Sequence, residues 1–111
     1  MVNHILPEKN EADDLLKWAG ELNPGPWINH SKVVAKTAEK IAQKCSLDCN
    51  KAYVLGLLHD IGRYEGVTGL RHIIAGYELM SKKNYVDNAY ICLTHSFANV
   101  WLKVSVCWKS V

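Results

Sequence analysis

One stretch constrains this chain more than any other: a carboxylate set inside an apolar run, Val54-Leu55-Gly56-Leu57-Leu58-His59-Asp60-Ile61-Gly62. Such a run forms core, and a carboxylate carried into a core is costly unless a cation or several hydrogen bonds compensate it. The fold must therefore bring compensating groups to Asp60 from elsewhere in the chain.

Histidines are the available source. His30 shares a helical face with Val34, Thr37 and Ile41; His72 aligns with Ala75, Gly76 and Leu79; His95 aligns with Asn88, Ile91 and Cys92. The spacing predicts that each points inward from its own helix. A single inward histidine is most often a core residue bonded to a backbone carbonyl. Four of the five histidines, with Asp60 beside one of them, point instead to a shared divalent-metal site. Neutral imidazole and carboxylate are the usual ligands of Zn, Mn, Fe and similar ions.

The 111 residues set an upper bound of one domain over 1–111, with one core and little surface to spare. Thirteen basic against eleven acidic side chains leave a net charge of only +2, so overall charge singles out no partner. No run approaches the ~18 apolar residues of a membrane span, and Glu8, Glu11, Asp13 and Asp14 near the start do not suit a signal peptide. A cytoplasmic protein without a membrane partner is the expectation. Cys45, Cys49, Cys92 and Cys107 form no disulfide framework and are expected as thiols, with Cys45 and Cys92 on apolar faces as small core residues.

Along the chain, Asn10 is placed to cap a helix over Glu11–Leu22, with Leu15, Leu16, Trp18, Ala19 and Leu22 as its buried stripe. Asn23-Pro24-Gly25-Pro26 turns the chain into a second helix, Trp27–Cys45, on which Lys32, Lys36, Lys40 and Lys44 recur every four residues. That row reads as a solvated face, the alternative being a stripe that follows a phosphate backbone. Asp48 is placed to cap a third helix, about Cys49–Ile61, ending at Gly62, where glycine would let the backbone leave the helix. Arg63 and Arg71 flank the loop that follows, and their guanidinium forks suit phosphate oxygens.

The ordered set His30, His59-Asp60-Ile61-Gly62, His72-Ile73-Ile74-Ala75-Gly76 and Thr94-His95 resembles the HD-domain superfamily of metal-dependent phosphohydrolases in its HDIG form, over about residues 23–97. The resemblance implies an all-α, HD-domain-like bundle of about five helices. It implies one divalent ion at His30, His59 and Asp60, and a second held by His72 and His95 with Asp60 bridging, so one or two ions of Mn, Fe, Mg, Co, Ni or Zn per chain. It further implies hydrolysis of a nucleotide or related small phosphoester, with Asp60 and Arg63 catalytic and Arg63 and Arg71 on the substrate phosphate. Nucleic acid is not an expected partner.

The C-terminus departs from the family. A later Asp normally completes the primary site there, yet no Asp or Glu follows Asp87. Residues 98–111 read as a divergent or truncated tail, in which Val100, Leu102, Val104 and Val106 alternate in a strand-like period of two. The apolar surface implied by that departure predicts a homo-oligomer, with Trp101 and Trp108 at the contact. Two other readings remain: a catalytically weak domain serving as a metal- or ligand-binding regulatory module, and a basic nucleic-acid-binding domain with structural histidines.

Overall fold

The computed structural model describes residues 6–66 and 70–95, which form five α-helices and one 3₁₀ turn. The helices are α1 (Lys9–Leu22), α2 (Pro26–Lys44), α3 (Cys49–Leu57), α4 (Arg71–Lys82) and α5 (Val86–Thr94), with the 3₁₀ turn over Ile61–Glu65 between α3 and α4. There is no strand among the described residues, so the chain is an all-α bundle. The expected tail over 98–111, with Trp101 and Trp108, lies outside the described residues.

α1 begins earlier than its sequence signals suggest, with Glu8 rather than Asn10 at the N-cap and no side-chain cap bond. Its buried stripe is narrower too. Ala12, Leu16 and Ala19 are fully inside, while Trp18 and Leu22 are 40% and 57% exposed. Asp48 caps α3 as expected, accepting a hydrogen bond from the Lys51 amide at 3.0 Å.

The core is built where α3 and the 3₁₀ turn meet the other elements. Leu57, Leu58, Ile61 and Met80 are completely enclosed, and alanines at 12, 19, 35 and 89 let the helices approach closely. Gly56 sits where α3 meets α2: a Cβ there would lie 3.0 Å from the Ala35 Cα. The turns after α2 and α4 share one device. Leu47 N–H bonds to Ala42 O at 2.8 Å, and Tyr85 N–H to Met80 O at 2.9 Å, each six residues closing back to one, with Ser46 and Asn84 in the left-handed region at φ 58° and 64°.

Two sequence expectations are corrected. α3 stops at Leu57 instead of continuing to Ile61, and Leu58 (φ −103°, ψ 8°) and Asp60 (φ −110°, ψ 17°) take bridge-region angles. The reason lies at Gly62, which does not serve as a left-handed helix end. A Cβ on Gly62 would lie 1.8 Å from His72 O and 2.5 Å from Gly76 N, so the turn lies directly against the backbone of α4. A helix continued through residue 61 would keep His59 and Asp60 about 100° apart. Leaving the helix at Leu58 instead allows both side chains to serve one site.

Candidate metal centre

Asp60 is 6% exposed and lies at the centre of the histidines. Its Oδ1 lies 2.7 Å from His95 Nε2 and 3.4 Å from His72 Nε2; its Oδ2 lies 3.7 Å from His59 Nε2 and 3.1 Å from Arg63 Nε. The rings form a continuous row, with centroids 5.5 Å apart for His30 and His59, 5.0 Å for His59 and His95, and 5.7 Å for His72 and His95. Two triads can each offer ligand atoms within 4.8 Å of one another: His30, His59 and Asp60, and Asp60, His72 and His95. Asp60 belongs to both, with Oδ1 toward His72 and His95 and Oδ2 toward His59.

Backbone carbonyls fix which nitrogen each ring presents. His59 Nδ1 lies 2.6 Å from Gly56 O, and His95 Nδ1 lies 3.0 Å from Cys92 O and 3.2 Å from Ile91 O. In both rings Nδ1–H is therefore the donor to the backbone, and Nε2 is the atom that faces Asp60. Such outer bonds are what orient metal-binding histidines and raise their basicity.

The electrostatics agree with a cation-binding role. Burial pulls the His59 imidazole below the ordinary histidine value, against the Gly56 hydrogen bond and the charge of Asp60, so the ring favours its neutral, ligating form. Burial works to raise Asp60, but the His95 hydrogen bond, the charges of His59 and His95, and Arg63 outweigh it and hold the carboxyl well below the usual carboxylate range. An ionised carboxylate with imidazole nitrogens grouped around it is a fitting donor set for a divalent ion.

Two expectations about these residues change. His30 is exposed, standing at the solvent edge of the cluster rather than inside it. Its position in the first turn of α2 explains this, because α3 covers only the Ser31, Ala35 and Ala42 side of that helix. Arg71 is engaged on the surface, with Nε 3.3 Å from Glu65 and Nη2 3.4 Å from Glu78. Arg63 is drawn to the site, 40% exposed at its side chain and paired with Asp60. Cys45 is also corrected: it is exposed, while Cys92 is buried. Cys45 follows the side of α2 that carries His30 and Ile41, both exposed, rather than the Ser31, Ala35 and Ala42 side that is buried.

The sequence alone did not single out three supports. Asn23 Nδ2 donates to Arg63 O at 2.7 Å and Trp27 Nε1 donates to Asn23 O at 2.8 Å, so the corner between α1 and α2 holds the turn carrying Arg63. Cys92 lies under the centre, its thiol 3.4 Å from Leu58 O and pushed up to about 12 by burial and by the Asp60 charge. The Asn23-Pro24-Gly25-Pro26 corner is the available signal for Asn23, and the apolar face of Cys92 signals its burial; no residue pattern marks the Trp27 contact.

The sequence model of the HD domain matches residues 27–103. The chain belongs to the HD-domain family. Among curated HD-domain relatives of this chain, a ribonuclease Y of Chlorobaculum tepidum is 40% identical over 57 residues, 51% of this chain and 11% of that protein. A symmetrical bis(5'-nucleosyl)-tetraphosphatase of Staphylococcus aureus is 38% identical over 61 residues, 55% of this chain and 31% of its own length. A tRNA (cytidine(56)-2'-O)-methyltransferase of Thermoplasma volcanium is 35% identical over 83 residues, 75% of this chain and 24% of that protein. The chain thus spans less than a third of the length of each of these relatives. No solved structure gives a significant match. Among the described residues no helix is long and apolar enough to cross a membrane.

Proposed function

We propose that this HD domain is a metal-dependent phosphohydrolase acting on a phosphoester of nucleotide type. The observation that carries the reading is Asp60, shared between two triads of potential ligands and held ionised inside the fold. His30, His59 and Asp60 would hold one divalent ion and Asp60, His72 and His95 a second. A divalent ion supplies Lewis-acid charge that favours attack of water at phosphorus and stabilises the leaving oxygen.

The chain's own groups do the rest. His59 and His95 are preoriented by backbone carbonyls, which lowers the cost of organising the site. Arg63 is ion-paired with Asp60 through Nε at 3.1 Å and its side chain is 40% exposed, so the rest of the guanidinium could meet a phosphate oxygen arriving from the solvent side. Arg71 would first have to leave Glu65 and Glu78, so its role toward substrate is secondary. The tetraphosphatase relative, whose name states a nucleotide substrate, favours nucleotide-type chemistry.

Turnover of a generic phosphodiester with added Mn tests the reading. Asp60→Ala should lose both retained metal and turnover by at least about 100-fold, since even supporting residues of metal sites commonly cost 10–100-fold. Full turnover in that variant would overturn it. Retained metal with no turnover of any phosphoester would favour the regulatory-module reading. Cytoplasmic placement and self-association belong to the same proposal, and gel filtration at two concentrations tests the second.

A further inference from the structure

α2 presents to solvent a face that starts at the metal centre. At about 100° per residue, Val33, Ile41 and Lys44 fall within about 60° of the azimuth of His30, while Lys40 stands about 80° and Lys36 about 120° round the helix from it. All six side chains are exposed, Val33 and Ile41 at 56% and 58%. At about 1.5 Å per residue the face runs about 21 Å from His30 to Lys44, and successive lysines stand about 6 Å apart.

Two observations separate this face from an ordinary solvated surface. Glu39 is the sole acid of α2, and it is held by Lys9 of α1 at 2.6 Å. The ion pairs of the described residues use Lys9, Lys51, Arg63 and Arg71, and none uses a lysine of α2. The helix carries +3 from its four lysines and Glu39, more than the +2 of the whole chain, so positive charge is concentrated on the one element that leads to the site.

We propose that this face is a track for a single-stranded oligonucleotide. One phosphodiester lies at the His30 edge of the centre, the phosphates that follow lie against Lys36, Lys40 and Lys44, and bases cover Val33 and Ile41. The lysine spacing matches a chain bearing a charge at each repeat. A membrane-binding helix needs a broad apolar face, and here two aliphatic side chains stand two turns apart. Which end of the strand reacts rests on the phosphohydrolase reading; binding along the lysines does not.

The test is fluorescence anisotropy of labelled RNA and DNA strands of about twelve nucleotides, in the range that single-strand binders cover, with the full chain in chelator. Binding of at least one strand is expected, falling with salt between about 50 and 200 mM at a log–log slope of about −2, as three phosphate contacts to a single strand give. The variant Lys36→Glu/Lys40→Glu/Lys44→Glu should bind more than about tenfold more weakly, yet keep its metal content and its turnover of a small phosphodiester. Preference for RNA or DNA names the sugar, and either supports the track. Binding without turnover of any phosphoester would leave the track standing and remove the hydrolase reading. No salt-dependent binding of either strand, undiminished binding by the triple variant, or a preference for phosphatidylserine vesicles over both strands overturns the proposal.

Discussion

Asp60 and His59 are a single electrostatic unit, and both work in the same direction under acid. Each has a folded pKa below its ordinary value, so each favours the fold above the pKa of the unfolded residue and loses that contribution as pH falls. Urea midpoints of the metal-free chain should therefore decline on acidification below about pH 6.5, where free histidine protonates, and again below about pH 4. His59→Gln should flatten the upper part of that profile; an unchanged profile would contradict the burial argument. The thiols give a second residue-scale check. With its pKa raised to about 12 and its side chain enclosed, Cys92 should resist alkylation at mildly alkaline pH until the chain unfolds, whereas exposed Cys45 reacts. Peptide mass mapping after brief iodoacetamide treatment reads both. At this scale the sequence was most informative about identity and least about environment: four histidines and one Asp were assembled from spacing alone, but exposure of His30 depended on which side of α2 its neighbours cover.

Elements were legible wherever periodicity was long and unopposed. α2 follows its expected bounds to within a residue, because it carries a sustained stripe and ends at a turn residue. α3 is shorter than its apolar run predicts, for the opposite reason. The apolar run continues through Ile61, so hydrophobicity gives no sign that the backbone turns at Leu58; the cause is a backbone contact between Gly62 and α4, which no spacing encodes. Gly62→Ala should thus destabilise by roughly 3 kcal/mol or more, since the clash is with backbone rather than a movable side chain. Chemical denaturation would measure it, and a loss under about 1 kcal/mol would show that the two segments can separate cheaply. Ser46→Gly should act the other way. Ser46 holds φ 58° at the end of α2, and relieving a left-handed conformation should stabilise by about 0.5–1 kcal/mol after glycine's extra chain entropy is subtracted. An increased urea midpoint with unchanged slope is the expected result.

For the whole molecule, the bundle and its centre are coupled, because the potential ligands come from α2, the segment after α3, α4 and the end of α5. An ion that binds only the folded chain must stabilise it, by about 2.7 kcal/mol at a hundredfold excess over its dissociation constant. That corresponds to a rise in melting temperature of about 10 °C or more for a chain near this size. Family membership rests on a match that spans most of the chain, which itself covers less than a third of each relative named, so the domain's chemistry is argued from its own residues. The most direct test of the central claim is elemental analysis of the chain after incubation with Mn or Fe and removal of free ion, beside Asp60→Asn, which keeps the shape of the side chain and removes its charge. Retention of about one to two ions per chain, lost in the variant, is the predicted result for a bridging carboxylate between two sites. Equal metal in both proteins, or none in either, would contradict it.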